Sequence, residues 1–303
     1  MSEKKSEYYN MDELLIELTD LGKHGGNVFR GYNIREQILP SIIRGSDYTD
    51  VEFELLHEFE KYGSHYFAAN TPIDFLSVAQ HYGLPTRLLD FTHNPFIALS
   101  FALFSKKSQG NYRVNEDKEF YYIRYCKTAD NIHLSNFPVQ EGLNFGGFKA
   151  VSIARSCELL LKQHTKAFSE ELKGKSDYMN ALRSSSHQQT SRQEDIIGKA
   201  LNRKLCFVDP NQSNQRIIMQ QGLFMVPYTL SEKEQYEIFE RNTSVIRIHK
   251  SLRNDLLKYL DTLGYNTFRL MPDLASICSA VTQRVKDRRM QGGRPPRKHG
   301  QKD

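Results

Sequence analysis

The densest concentration of polar side chains in the 303-residue chain lies in the segment Gln80-His81-Tyr82-Gly83-Leu84-Pro85-Thr86-Arg87-Leu88-Leu89-Asp90-Phe91-Thr92-His93-Asn94. Its polar side chains surround an apolar Leu-Leu pair and follow no solvent-facing pattern, so they must be satisfied by one another or by a ligand. Two interpretations are open. Arg87 and Asp90 form an internal ion pair that fixes the segment, or the segment binds a ligand.

Well-capped helices are predicted on both sides of this segment. Thr71 and Pro72 supply a hydroxyl cap and a proline at the first helical position, and Gly83 can end that helix in a left-handed conformation. Asn94 begins a second helix that is apolar nearly all round, which is typical of a helix buried on most sides. Strands are predicted at residues 27–32, 118–125, 205–208, 223–226 and 244–248, with further helices near residues 10–21, 49–62 and 251–263.

The order of these elements predicts an α+β fold with a helical N-terminal part. No regular alternation of strand and helix occurs, which argues against a doubly wound parallel sheet. Residues 130–203 are polar and have weak helical periodicity, so we expect a helical insertion there. The predicted domain therefore spans residues 1–283, with the insertion at about 130–203 and a tail at 284–303.

Charge is distributed unevenly along the chain. Residues 284–303 carry eight Lys/Arg against two Asp/Glu, while the whole chain has a net charge of +5. The tail is either a solvated, disordered terminus or a segment that binds nucleic acid by neutralising phosphates. Because no apolar run approaches the ~20 residues of a membrane span and no secretory signal is evident, we expect a cytoplasmic protein without a membrane partner.

Common catalytic and metal-binding motifs are absent from the sequence. The four cysteines have no metal-ligand spacing, and Lys61 stands where a zinc protease would have its second histidine. Ser169 replaces the first glycine of a phosphate-binding loop, and no Gly-x-Ser-x-Gly motif occurs. We therefore expect no metal site, zinc protease, P-loop nucleotidase or α/β-hydrolase.

Several of these segments together resemble the FRG domain family. Phe29-Arg30-Gly31 is the tripeptide for which the family is named, and residues 80–90 are similar to its most recognisable block. Leu39-Pro40-Ser41 with Arg44, and Arg216 with residues 220–224, resemble further blocks. The resemblance covers about residues 27–104 and 204–276.

The Phe-Arg-Gly strand, Thr86 and a later Ala98…Phe101-Ala102 helix also resemble ADP-ribosyltransferases. This resemblance implies a split antiparallel β-sandwich core and NAD as substrate. It implies that Arg30 grips the diphosphate, that Tyr82 stacks on nicotinamide, and that Gln221 contacts a ribose hydroxyl. Gly31 follows Arg30 at the end of the strand, where a glycine lets the backbone bend towards a phosphate. The further residues implied to bind NAD are His81, Thr86, Arg87 and Asp90.

Two functions follow from these resemblances. The first is an NAD-dependent ADP-ribosyltransferase, a toxin-like effector in bacterial conflict or phage defence that modifies nucleic acid and is controlled by an antitoxin or regulatory protein. The second is a non-catalytic FRG module that binds a nucleotide or nucleic acid. The transferases usually have a glutamate at the start of a late strand, and the comparable position here holds Gln220 and Gln221, which favours the second function.

Overall fold

The computed structural model describes most of the chain outside the insertion and the tail. The described residues are 5–23, 25–44, 48, 51–67, 72–106, 112–114, 118–134, 204–210, 215–227 and 230–271, with 277, 278, 281, 282 and 285. The predicted tail therefore lies outside the described residues except for Val285. The predicted insertion lies outside them except for residues 130–134, where a short strand follows a 3-10 turn.

The described residues contain one eight-stranded sheet and a separate two-stranded hairpin. Along the sheet the order is β1-β10-β6-β2-β3-β9-β8-β7, and β4 pairs with β5 in the hairpin. Two neighbouring pairs, β1 with β10 and β7 with β8, are parallel, and the others are antiparallel. The strands are β1 (Lys5–Tyr8), β2 (Asn27–Tyr32), β3 (Leu89–Thr92), β4 (Phe104–Lys106), β5 (Tyr112–Val114), β6 (Phe120–Lys127), β7 (Ile132–Leu134), β8 (Cys206–Val208), β9 (Gly222–Met225) and β10 (Ser244–His249).

The middle of the sheet is its weakest junction. Strands β2 and β3 share a single residue pair, Phe29 with Thr92. By contrast, β2 pairs with β6 over six residues and β3 pairs with β9 over four. The sheet therefore consists of two four-stranded halves that are joined at one point.

Helices cover both halves of the sheet. Helix α4 packs directly on β2 and is itself contacted by α1 and α7. Asn94 caps α4 as the sequence predicts, because its side-chain oxygen accepts from the backbone N–H groups of Phe96 at 2.9 Å and Ile97 at 3.3 Å. The helices are α1 (Met11–Lys23), α2 (Glu52–Gly63), α3 (Pro72–His81), α4 (Pro95–Leu103), α5 (Gln215–Met219), α6 (Glu232–Asn242), α7 (Arg253–Thr262) and α8 (Thr267–Leu270).

The mixed architecture of helices and a largely antiparallel sheet confirms the predicted combination of helices and strands. Each of the five predicted strands overlaps an observed one. The split sandwich is not confirmed, since eight of the ten described strands form one hydrogen-bonded sheet and the other two form a hairpin. Five strands were not predicted. They are the edge strands β1 and β7, the hairpin strands β4 and β5, and β3, which lies within the polar segment of residues 80–94. None of the described helices is both long enough and apolar enough to cross a bilayer.

Candidate functional site

A cleft of about 200 Å³ opens where β2 and β3 separate. Its walls come from these two strands, from β9, from the end of α3 and from α5. The charged and titratable side chains among its lining residues are Arg30, Arg44, His81, Asp90 and Arg216. Three arginines facing one carboxylate give the cleft a positive charge, which favours an anionic ligand.

Arg30 crosses the junction between the two halves of the sheet. Its Nε and Nη2 donate to the backbone oxygen of Gln37 at 2.9 and 2.5 Å, and its Nη1 donates to the backbone oxygen of Asp90 at 2.5 Å. Burial lowers the pKa of Arg30 to about 10, and the nearby Asp90 carboxylate opposes that shift, so Arg30 is cationic at neutral pH. Of the five N–H groups of a guanidinium, two remain for a ligand.

Gly31 lines the cleft beside Arg30, but packing is what requires a glycine there. A Cβ at this position would lie 1.7 Å from the backbone oxygen of Ala98 and 2.7 Å from the backbone nitrogen of Ala102, both in α4. The sequence suggested instead that Gly31 lets the backbone bend towards a phosphate. The structure gives Gly31 a different role, since its missing side chain lets α4 lie directly against β2.

Asp90 is held by a chain of hydrogen bonds. The Gln80 side-chain amide donates to Asp90 Oδ1 at 2.8 Å, and the Thr86 hydroxyl donates to Gln80 Oε1 at 2.7 Å. The backbone N–H of Thr86 in turn donates to the Ser41 hydroxyl at 2.9 Å. The Gln80 amide oxygen accepts from Thr86, and its amide nitrogen donates to Asp90. These two hydrogen bonds fix the orientation of the Asp90 carboxylate.

Arg44 has a donor that is buried without a partner. Its Nε makes no hydrogen bond to any residue in the described part of the chain, although the Asp90 charge lies near enough to counteract the burial that lowers its pKa. Buried polar groups in native proteins are nearly always hydrogen-bonded, so this donor beside the cleft is available to a ligand.

Arg216 and His81 also line the cleft and contact each other. Arg216 Nη1 lies 3.2 Å from His81 Nδ1. Since a guanidinium can only donate, Nδ1 must accept, and the imidazole proton is therefore on Nε2. This tautomer leaves His81 uncharged, so the positive charge of the cleft comes from the arginines.

Four of the predicted site residues are not among those that line the cleft. Tyr82 is 77% exposed beside His81. Arg87 makes an ion pair with Glu52 on α2 rather than with Asp90. Thr86 is buried and acts through Gln80. Gln221 is exposed, has a positive φ of 45°, and uses its backbone oxygen to accept from His93.

The cleft does bring together the remaining predicted residues, Arg30, Gly31, His81 and Asp90. It also contains Arg44 and Arg216, to which the sequence assigned no role in a site. The sequence could have indicated both arginines, because each lies in a segment that resembles the FRG family.

Comparison with protein-family models finds a match in this region. The match is to the FRG domain and spans residues 26–111. Residues 26–111, the FRG segment, are therefore similar to the FRG domain. No curated protein and no solved structure matches the chain. The FRG segment contributes Arg30, Arg44 and Asp90 to the cleft, whereas Arg216 and β9 come from beyond it.

Proposed function

We propose that the cleft binds the diphosphate of NAD and that the chain is an NAD-dependent ADP-ribosyltransferase. The observation that carries this proposal is the convergence of Arg30, Arg44 and Arg216 on a cleft whose described lining residues include a single carboxylate. Guanidinium groups bind phosphate oxygens through paired, charge-assisted hydrogen bonds. The division of the sheet into two four-stranded halves at the cleft also supports a split-sandwich core of the transferase type.

The size of the cleft determines how a dinucleotide would bind. At about 200 Å³ it is smaller than the ~300–1,000 Å³ of typical ligand pockets. We therefore expect the reacting ribose and the adjacent phosphates inside, with the rest of NAD along the open mouth. Holding the diphosphate on three arginines would fix the nicotinamide–ribose bond in one orientation, which is the main requirement for its cleavage.

A specific observation favours the second function, a non-catalytic nucleotide-binding module. Tyr82 and Gln221, the residues expected to assist bond cleavage, are not lining residues of the cleft. Binding without turnover would then be the whole activity. A cytoplasmic, toxin-like effector role, a nucleic-acid acceptor bound by residues 284–303 and control by an antitoxin stay predictions.

Incubating the protein with NAD labelled in its adenine ring separates the two functions. Release of nicotinamide, with label transferred to added RNA, DNA or protein, is expected for the transferase. Arg44→Gln should lose this activity, whereas Arg241→Gln, an exposed arginine on α6, should keep it. Binding of NAD without nicotinamide release would favour the non-catalytic module, and absence of binding would refute both functions.

A further inference from the structure

We propose that Asp90 is the catalytic carboxylate of this cleft, and that Ser41, Thr86 and Gln80 are positioning residues that orient it. The inference rests on the proposed function and assigns a role that the sequence gave to Gln221. Its substrate is a ribosyl group that becomes positively charged as its bond to nicotinamide breaks.

The chemistry requires a negative charge near the ribose. Breaking the nicotinamide–ribose bond leaves positive charge on C1′ and the ring oxygen, which an anionic group stabilises better than an amide does. Asp90 is the only carboxylate among the described residues that line the cleft. Gln220, which does line it, already donates its amide N–H to the backbone oxygen of Leu270 at 2.7 Å.

The geometry leaves one oxygen of Asp90 free for this role. Oδ1 accepts from Gln80 at 2.8 Å, whereas Oδ2 accepts no hydrogen bond from the described residues. The carboxylate thus has one oxygen that anchors it and one that is available to a ribose hydroxyl or to the charged ring. An anchored carboxylate is preorganised, so little reorganisation is needed as charge develops.

The hydrogen bonds that Thr86 makes to Gln80 and Ser41 hold the Asp90 carboxylate in one orientation. Thr86 is fully buried, its hydroxyl donates to Gln80, and its backbone N–H donates to Ser41. The backbone oxygen of Thr86 accepts from the backbone N–H of Ile42 at 3.1 Å, which ties the segment to the residues just before Arg44. The same short segments therefore position the carboxylate and one of the three arginines.

The reaction needs only NAD and an acceptor, which can be water. The bond between ribose C1′ and the nicotinamide nitrogen breaks, and its electron pair leaves with neutral nicotinamide. A lone pair of the acceptor oxygen or nitrogen, or of water, forms the new bond to C1′, and the acceptor proton passes to solvent. Asp90 stays ionised throughout and stabilises the cationic centre between the two events.

The test compares NAD affinity and nicotinamide release in Asp90→Asn and in Asp20→Asn, a matched change at an exposed carboxylate on α1. Asp90→Asn should bind NAD within about threefold of wild type and lose turnover by about 100–1,000-fold, because an interaction made mainly in the transition state has been removed. Asp20→Asn should change neither. If Asp90→Asn fails to fold, Asp90→Glu carries the test, since it keeps the charge but displaces it, and it should bind NAD with reduced turnover.

Each other outcome overturns the inference in a recognisable way. Wild-type turnover in a folded Asp90→Asn or Asp90→Glu protein excludes the catalytic role while leaving the transferase intact. Equal losses of affinity and turnover make Asp90 a binding residue only. A wild-type protein that binds NAD without turnover overturns the inference and favours the non-catalytic module, and one that does not bind NAD overturns the proposed function as well.

The positioning role is tested at Thr86. Thr86→Val keeps the buried volume but removes the hydroxyl that holds Gln80, so kcat should fall by about tenfold or more with KM for NAD unchanged. Thr86→Ser keeps the hydroxyl and should restore kcat. A loss of stability in both variants with unchanged kcat would make this hydrogen-bond chain purely structural.

Discussion

The substitution Gly31→Ala should destabilise the protein through packing alone. The added Cβ would lie 1.7 Å from the backbone oxygen of Ala98, whereas real Cβ contacts are essentially never shorter than 3.0 Å. The clash involves the backbone of α4, so no side-chain rotation relieves it. Helix α4 would have to move by about 1.3 Å, and seven of its nine residues are buried: Pro95, Ile97, Ala98, Leu99, Ser100, Ala102 and Leu103.

Overpacking a well-ordered core typically costs about 1–3 kcal/mol, and a backbone clash belongs at or above the upper end. We therefore expect a loss of about 3 kcal/mol or more, out of the ~5–15 kcal/mol by which a domain is usually stable. Urea unfolding of wild type and Gly31→Ala, followed by circular dichroism, measures this difference directly.

Gly25→Ala is the matched control. Gly25 has a φ of +62°, and no atom lies within 4 Å of the position that its Cβ would take, so only the left-handed backbone opposes the change, at about 1–2 kcal/mol. A Gly31→Ala protein as stable as Gly25→Ala would refute the packing argument. If it also lost NAD binding while fully folded, Gly31 would instead serve the close approach of a phosphate, as the sequence suggested.

Three further predictions concern buried charges and a buried thiol. Arg30→Lys should lower the unfolding free energy in urea by about 2–3 kcal/mol, since a lysine cannot reproduce the fork that joins the two halves of the sheet, and wild-type stability would contradict this role. Arg87→Gln should cost about 3–5 kcal/mol by leaving Glu52, which is 4% exposed, without its counter-charge, while calorimetric titration should find NAD affinity unchanged. Burial raises the pKa of Cys126 from its ordinary 9.0 to about 12, so the unfolded thiol ionises first and stability falls as pH rises above about 9. The stability advantage of wild type over Cys126→Ala should therefore shrink by about 1 kcal/mol between pH 8 and pH 10, and a constant difference would contradict the shift.

Local signals in the sequence account for the elements that were predicted. Asn94 and Pro95 determine where α4 begins, and Gly83, with a φ of +98°, occurs just after α3 as a left-handed stop. Apolar, β-branched and aromatic runs give the strands that lie within the sheet. These features depend on neighbours a few residues away, and such neighbours are visible in the sequence.

Long-range contacts account for what the sequence did not predict. Strand β3 has four residues inside a segment rich in polar groups, and it is a strand because β2 and β9 pair with its two edges. The counter-charge of Arg87 is 35 residues away at Glu52, rather than at Asp90. Arg216 reaches the cleft from beyond the FRG segment, and the cleft itself depends on β2 and β3 sharing a single pair. No local sequence pattern specifies these long-range contacts.

Calorimetric titration of NAD into wild type, Arg44→Gln and Arg241→Gln tests most directly whether the arginine-lined cleft is a nucleotide site. Arg44→Gln loses one charge-assisted hydrogen bond to NAD, worth about 1.5–3 kcal/mol, so this variant should bind NAD about 10–100-fold more weakly than wild type. Arg241→Gln should bind NAD as wild type does. The ligand-free Arg44→Gln protein should be no less stable than wild type, because the buried Nε has no partner among the described residues to lose. Equal affinities in all three proteins, or no NAD binding by the wild type, would contradict the proposed site.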